Sequence, residues 1–148
     1  MTRAADRVLL DTNVLLAATD TGRPAHDRAL ATLNEWPAEG IALYTSGQIL
    51  REYLVVATRP VADSGLGMSR PDGLRNVRSL RERLAFLDET AKVSDRLLAL
   101  LDDVECSGKQ VHDANVVATM LTHGIAGVVT FNADDFARFG RIVQVIEP

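Results

Sequence analysis

The chain has very little cysteine and no long apolar run. Cys106 is the only cysteine among 148 residues, so no intramolecular disulfide can form, and we expect the protein to work in a reducing cytoplasm. No apolar stretch approaches the ~20 residues that span a bilayer, so we expect no membrane contact. The N-terminal stretch MTRAADRVLLDTN is interrupted by Asp11 before it reaches the length of a signal-peptide core, and we expect no signal peptide.

Basic residues do not outnumber acidic ones. The formal net charge is −4, from 16 Lys and Arg against 20 Asp and Glu. This balance argues against a protein that holds nucleic acid through a broad basic surface. It leaves room for a small basic patch beside a metal site, because bound divalent cations reverse the local sign of the charge.

What the chain does have is the size and pattern of one α/β domain. A length of 148 residues suits a single domain spanning 1–148, without internal repeats or low-complexity tracts. Short apolar runs alternate with helical patterns, which predicts a parallel sheet covered by helices on both faces. We predict strands at 8–10, 41–44, 91–94, 126–132 and 141–148, and helices over 24–36, 46–59, 80–87, 97–104 and 111–123, the last capped by Gly124.

One segment lacks any periodic apolar pattern. The stretch RPVADSGLGMSRPDG, residues 59–73, is rich in Gly, Pro, Ser and Asp. Such a composition indicates an exposed loop or a mobile insertion, which we place around residues 60–76.

The acidic residues are the part of the sequence that composition does not explain. Asp11 follows the apolar run Val8–Leu10 and therefore belongs at the carboxyl edge of the sheet, where open α/β sheets bind ligands. Capping of a following helix or turn is an equally good explanation for this aspartate taken alone. The stretch VVTFNADDF places Asn132, Asp134 and Asp135 just past another apolar run, again at the carboxyl edge of the sheet.

Two further acidic residues lie on predicted helices. Glu52 lies near the boundary of an apolar helix face, although for this residue taken alone a solvated glutamate is the more common outcome. Asp113 opens a helix with an apolar stripe, where helix capping is again an alternative reading. If the strands that precede Asp11 and Asn132 are neighbours in the sheet, these carboxylates converge.

Converging carboxylates point to a divalent cation. Like charges raise one another's pKa, and a cation relieves this repulsion. Oxygen ligands without a Cys/His cluster favour Mg²⁺ or Mn²⁺ over Zn²⁺. Such a site is typical of phosphodiester cleavage, in which a metal ion activates water and stabilises charge on the leaving oxygen. The polar neighbours predicted to orient the metal ligands are Thr12, Asn13, Ser46, Thr130 and Asn132.

Four stretches together resemble a known family. LLDTNVLL, EYL, HDANVVA and TFNADDF are similar, in order and character, to the signature blocks of PIN-domain ribonucleases, in particular VapC-type toxins of toxin–antitoxin pairs. The resemblance covers residues 7–139. It implies an α/β/α sandwich with a parallel sheet of about five strands and Mg²⁺- or Mn²⁺-dependent cleavage of RNA. It also implies a homodimer and inhibition by a cognate VapB-like antitoxin that binds DNA.

The resemblance also implies roles for individual residues. Asp11 matches the first metal ligand, Asp113 the principal co-ligand, and Glu52 a glutamate that acts through water or positions a base. Family members differ in the last block, where we favour Asp135 as the fourth catalytic and metal-binding carboxylate. Asn132 would then be an orienting amide and Asp134 a solvated residue.

Other readings of the sequence remain open. A phosphatase of the haloacid-dehalogenase type needs a second aspartate two residues after the first, and that position is Asn13 here. A receiver domain would carry its aspartate on a later, central strand. A PIN-type nuclease of RNA processing without a toxin role, or a catalytically inactive PIN-like binding module, fits the same motifs.

Overall fold

The computed structural model describes residues 5–148, which form a five-stranded parallel sheet flanked by helices. Residues 1–4 belong to the N-terminal stretch for which the sequence predicts no signal peptide, and they lie outside the described residues. The strand order is β3-β2-β1-β4-β5, and every neighbouring pair is parallel. The strands are β1 (Arg7–Leu10), β2 (Ala42–Ser46), β3 (Ala85–Leu87), β4 (Gly127–Val129) and β5 (Gln144–Ile146). The predicted fold class is confirmed.

Seven α-helices connect the strands of the described chain. They are α1 (Thr12–Thr19), α2 (His26–Glu35), α3 (Gly47–Thr58), α4 (Arg70–Arg83), α5 (Ala91–Asp103), α6 (Gln110–His123) and α7 (Ala133–Phe136). Helix α1 packs on α2 and α3, α3 packs on α4, and α5 packs on α6. Three short 3₁₀ turns, at Trp36–Glu39, Val61–Asp63 and Ala137–Phe139, complete the connections.

The centre of the sheet is buried on both faces. Val8, Leu9 and Leu10 of β1 are fully inaccessible to solvent, as are Val128 and Val129 of β4. Uninterrupted apolar runs are the pattern expected when helices cover both sides of a strand, because neither side-chain direction then meets water.

The strand order makes β1 and β4 neighbours at the point where the chain reverses its direction across the sheet. From β1 the chain proceeds to β2 and β3 on one side, and it then crosses back to β4 and β5 on the other. Loops that leave the carboxyl ends of β1 and β4 therefore diverge and open a crevice between them. This crevice is where the structure places the segments that begin with Asp11 and Thr130.

Two of the predicted elements are wrong between residues 80 and 94. Leu80, Leu84 and Leu87 have helical spacing and are all buried, but α4 ends at Arg83 and Leu87 belongs to β3. The predicted strand at 91–94 is instead the first turn of α5, in which Val93 is the only buried residue of that turn. Strand β3 has three residues, which is too few to show the alternation of apolar and polar residues by which a strand is predicted.

The predicted loop around 60–76 is shorter than the sequence suggests. Ser69 caps α4 by accepting a hydrogen bond from Asp72 N at 3.2 Å, and Pro71 lies in the first turn, so residues 70–76 are helical. The remaining loop runs along α3, where Leu66 N donates to Val56 O at 3.0 Å and Met68 N to Ala57 O at 2.9 Å. This backbone pairing holds residues 66–68 against the end of α3.

Candidate functional site

Asp11 lies at the carboxyl end of β1, in the crevice beside β4. Its backbone N–H donates to Val129 O at 2.9 Å, which extends the pairing of the two strands by one residue. Its side chain then caps α1 by accepting from Thr12 N at 2.8 Å. The capping explanation is therefore realised by one carboxylate oxygen, while the other oxygen lies between the loops that follow β1 and β4.

The second carboxylate oxygen of Asp11 is held by neutral donors from both loops. Thr130 Oγ1 donates to Oδ2 at 2.8 Å, and Asn13 Nδ2 donates to the same oxygen at 3.3 Å. The Asn13 amide also donates to Thr130 Oγ1 at 3.1 Å and accepts from Phe131 N at 3.1 Å. Asn13 and Thr130 thus join the loop after β1 to the loop after β4 and fix the orientation of Asp11.

Glu52 reaches the same crevice from α3. Thr12 Oγ1 donates to its Oε2 at 2.9 Å, and Gln48 Nε2 donates to its Oε1 at 3.0 Å. Gln48 precedes Glu52 by four residues, so both side chains lie on one face of the helix. Glu52 is half-buried, and each of its oxygens has a fixed neutral partner.

Asp113 and Asp135 complete the group of four predicted carboxylates. Asp113 lies half-buried in the first turn of α6, and Asp135 lies exposed on α7. Burial and the charges of Asp135, Asp11 and Glu52 raise the pKa of Asp113 from its ordinary value of 3.8 to about 6. The four carboxylates are therefore close enough to repel one another.

Asp11 shows the same electrostatic conflict in a more buried position. Burial raises the pKa of Asp11 above its ordinary value, and the charges of Glu52 and Asp135 act in the same direction. Hydrogen bonds from Thr130 and from the Thr12 backbone oppose this shift because they stabilise the charged form. A buried carboxylate beside other carboxylates, with hydrogen bonds that stabilise its charged form, is typical of a functional site.

The other predicted neighbours have different positions. Ser46 is buried, and its hydroxyl accepts from Ile49 N at 3.4 Å, so it caps α3 rather than orienting a carboxylate. The contact described for Ser46 is that of a helix cap, and its orienting role in the site stays a prediction. Asn132 is exposed, and it is its backbone N–H that contacts the site, donating to Thr130 Oγ1 at 3.0 Å. Asp134 is exposed on α7, as expected for a solvated residue.

Three polar residues of this site were not found by sequence reasoning. Gln48 Nε2 also donates to His112 O at 2.9 Å, and Gln48 Oε1 accepts from Asn115 Nδ2 at 2.7 Å, which ties α3 to α6. The positive charge of Arg138 lowers the pKa of Asp113 against the larger opposing effects. The spacing of four residues between Gln48 and Glu52 is the signal in the sequence that could have indicated their contact. It is a weak signal, because a polar residue on a helix is usually solvated.

The chemistry of these donors fits a hard divalent cation, although the four carboxylates are not arranged around a common metal position. Within residues 5–148, no three His, Cys, Asp or Glu side chains are placed to hold a metal ion as they stand. The available ligands are carboxylate oxygens, which Mg²⁺ and Mn²⁺ prefer.

No helix within residues 5–148 is both long and apolar enough to cross a bilayer.

Comparisons with known proteins identify the family that the chain resembles over most of its length. A model of the PIN domain matches residues 8–142. Ribonuclease VapC24 of Mycobacterium tuberculosis is 30% identical over 137 residues, which cover 88% of this chain and 90% of that protein.

Solved structures share the fold at lower sequence identity. VapBC2 of Rickettsia felis, bound to a DNA fragment from its promoter, matches with a TM-score of 0.66 and 18% identity, covering 96% of this chain and 97% of that one. The toxin VapC20 of Mycobacterium tuberculosis, which cleaves the sarcin-ricin loop, matches with a TM-score of 0.65 and 20% identity, covering 88% and 93%.

Proposed function

The chain belongs to the PIN-domain family, and on that basis we propose that it is a Mg²⁺- or Mn²⁺-dependent endoribonuclease and the toxin of a toxin–antitoxin pair. The 30% identity to a VapC ribonuclease over nearly the whole chain supports the nuclease activity. The observation that carries the metal dependence is the mutual repulsion of Asp11, Glu52, Asp113 and Asp135 at the carboxyl edge of the sheet.

A divalent cation would be held by these four carboxylates, with Asp11 and Asp113 as the principal ligands. When bound, such an ion lowers the pKa of water and stabilises negative charge on the phosphate and the leaving oxygen. The positive charge of the ion would stabilise the ionised forms of Asp11 and Asp113. Binding would therefore offset the effect of burial and of the neighbouring carboxylates, which disfavour these charged forms.

The neutral residues of the site prepare the carboxylates for this role. Thr130 and Asn13 hold one oxygen of Asp11 from the crevice side, and the backbone of Thr12 holds the other. Thr12 and Gln48 hold the two oxygens of Glu52. Fixed donors of this kind keep the ligands oriented and leave less rearrangement for the binding step.

The partners follow from the relatives rather than from the site. VapBC2 of Rickettsia felis is a complex of two proteins with promoter DNA, which supports a VapB-like antitoxin as the partner of this chain. We also propose that the chain forms a homodimer, as its resemblance to VapC-type toxins implies. Expression alone should arrest growth, and co-expression with a short reading frame found beside the gene, if one encodes the antitoxin, should restore it. Unimpaired growth would favour a nuclease of RNA processing over a toxin.

The experiment that tests the activity is cleavage of RNA by the purified protein with Mg²⁺, with Mn²⁺ and with excess EDTA. We expect cleavage only with a cation, and we expect Asp11→Asn to abolish it while the variant remains folded by circular dichroism. Asp134→Asn is the matched control, because Asp134 is exposed and outside the proposed ligand set. Cleavage in EDTA, or full activity of Asp11→Asn, would contradict the metal mechanism, and no cleavage of any RNA would favour a binding module.

A further inference from the structure

A cavity of about 460 Å³ opens beside the acidic group, between α3 and the start of α6. Thr12 and Glu52 form the wall that it shares with the acidic group. Val55 and Val56 form an apolar surface farther along α3, and Val55 is 58% exposed. This volume lies within the range of ~300–1,000 Å³ that is usual for small-molecule sites.

Two basic side chains, Arg51 and Lys109, line this cavity. Arg51 lines it from α3, where its guanidinium also lies 3.6 Å from Glu89, and Lys109 lines it from the start of α6. Lys109 precedes Asp113 by four residues in a helical turn, so the two side chains leave the same face, about 6 Å apart along the axis. A positive charge is therefore available one helical turn from a predicted metal ligand.

The cavity on the other side of the acidic group has the opposite character. It is about 430 Å³ in volume, and its described lining carries Asp134, Asp135 and Glu147 but no lysine or arginine. A strand of negative phosphates is repelled there and attracted beside Lys109 and Arg51. The charge of the lining residues thus distinguishes these two cavities.

We propose that the cavity between α3 and α6 binds the nucleotide next to the cleaved phosphodiester of an RNA strand. Lys109 and Arg51 contact its phosphate, and Val55 and Val56 pack against the face of its base. This subsite rests on the proposed ribonuclease function, and it explains how a chain of net charge −4 attracts RNA without a broad basic surface. The apolar contact is insensitive to base identity, because every base has an apolar face.

The phosphate contact can be tested with the two lysines of the chain, Lys109 and Lys92. Lys92 is exposed on α5 and lines a different cavity, so Lys92→Gln is a matched control for Lys109→Gln. Affinity for a fluorescein-labelled single-stranded RNA of mixed sequence is measured by anisotropy with Mg²⁺, in the Asp11→Asn background that prevents cleavage. We expect Lys109→Gln to weaken binding about three- to tenfold and to reduce the slope of log K against log salt by about 0.7. Lys92→Gln should change neither quantity, and equal behaviour of the two variants would overturn the phosphate contact.

The apolar contact can be tested with two exposed valines. Val55→Glu places a carboxylate in the cavity, whereas Val61→Glu changes a valine that is 72% exposed on the loop before α4. We expect Val55→Glu to raise the KM for RNA cleavage at least tenfold and to leave kcat within about twofold, with Val61→Glu unchanged. Light scattering on the same samples identifies a rival occupant. If Val55→Glu changes the oligomeric state but not RNA affinity, the surface is an interface between copies and the subsite is wrong.

The wild-type protein separates this proposal from the proposed function. If it cleaves RNA with Mg²⁺ while Lys109→Gln and Val55→Glu match their controls, the subsite fails and the function stands. If it neither cleaves nor binds RNA, both fail. If the two variants lose affinity for an added antitoxin peptide but keep their affinity for RNA, the cavity is a protein-binding groove and the nucleotide subsite is overturned.

Discussion

Thr12 Oγ1 donates a hydrogen bond of 2.9 Å to Oε2 of Glu52, which joins the first residue of α1 to the middle of α3. Thr12 is also the residue whose backbone N–H binds Asp11 at 2.8 Å. A single buried threonine therefore holds two of the four carboxylates, one through its backbone and one through its side chain. Because only the contact with Glu52 depends on the hydroxyl, the two can be separated by substitution.

Replacing Thr12 with valine should reduce cleavage of RNA about ten- to a hundredfold, because Glu52 loses a donor that fixes its orientation. The backbone contact with Asp11 remains, and valine has nearly the same shape, so the free energy of unfolding should fall by no more than ~1.5 kcal/mol. Initial rates at saturating Mg²⁺, together with urea unfolding, measure the two effects.

Thr32→Val is the matched control for Thr12→Val. Thr32 is 1% exposed, and its hydroxyl donates to Arg28 O within α2, so its loss affects stability without touching the site. Equal loss of activity in the two variants would show that the effect of Thr12 is one of general stability.

Gln48→Leu should weaken both the site and the contact between α3 and α6. The substitution removes a donor from Glu52 and leaves His112 O and Asn115 Nδ2 without their glutamine partner. We expect a loss of ~1–3 kcal/mol in the free energy of unfolding and a ten- to hundredfold lower affinity for Mn²⁺. Thermal unfolding and calorimetric titration with Mn²⁺ measure these values.

The control for Gln48→Leu is Gln144→Leu. Gln144 is exposed on β5, where its side chain accepts from Ala5 N at 3.2 Å. If Gln48→Leu binds Mn²⁺ as tightly as this control does, Gln48 serves the packing of the helices and does not position Glu52.

The main acidic residues could be predicted because strand ends are visible in the sequence. The apolar runs before Asp11 and Asn132 identify buried strands, and parallel strands bring their carboxyl ends to one edge. Gln48 and Asn115 were missed because their contacts depend on how α3 packs against α6, and Arg138 was missed because its charge acts on Asp113 from a 3₁₀ turn distant in sequence. Helix packing angles are not encoded in local spacing, and a polar helix residue is more often solvated.

The errors in the fold have a similar origin. The sequence does not reveal helix α1, because six of its eight residues are buried and leave no polar face that would show a helical period. Leu80, Leu84 and Leu87 are all buried with helical spacing, yet the backbone becomes extended at Leu84, where φ is −114° and ψ is 138°. Spacing alone does not show where a helix ends when the next strand continues the same apolar pattern.

Gly65→Ala should destabilise the protein, because the loop before α4 is packed rather than loose. A Cβ at this position would lie 2.0 Å from Arg59 O, which is backbone and cannot move aside without shifting the loop. We expect a loss of ~1–3 kcal/mol in the free energy of unfolding. Gly47→Ala is the control, since its Cβ would meet the end of the flexible Arg51 side chain at 3.2 Å and Phe86 Cζ at an ordinary contact distance of 3.8 Å. Equal stability of the two variants in urea would show that this loop is not packed.

The cation-free protein should lose stability as the pH rises from about 4 to above 6. The folded state raises the pKa of Asp113 from 3.8 to about 6, so it binds a proton more tightly than the unfolded chain does in this interval. The stabilising contribution is therefore complete below pH 4 and is lost as Asp113 ionises. Melting temperatures in EDTA should show a flatter pH dependence for Asp113→Asn than for the wild type, and Mg²⁺ should restore wild-type stability above pH 6. A wild-type profile that parallels that of Asp113→Asn would mean that Asp113 ionises normally and that no repulsion awaits relief by a cation.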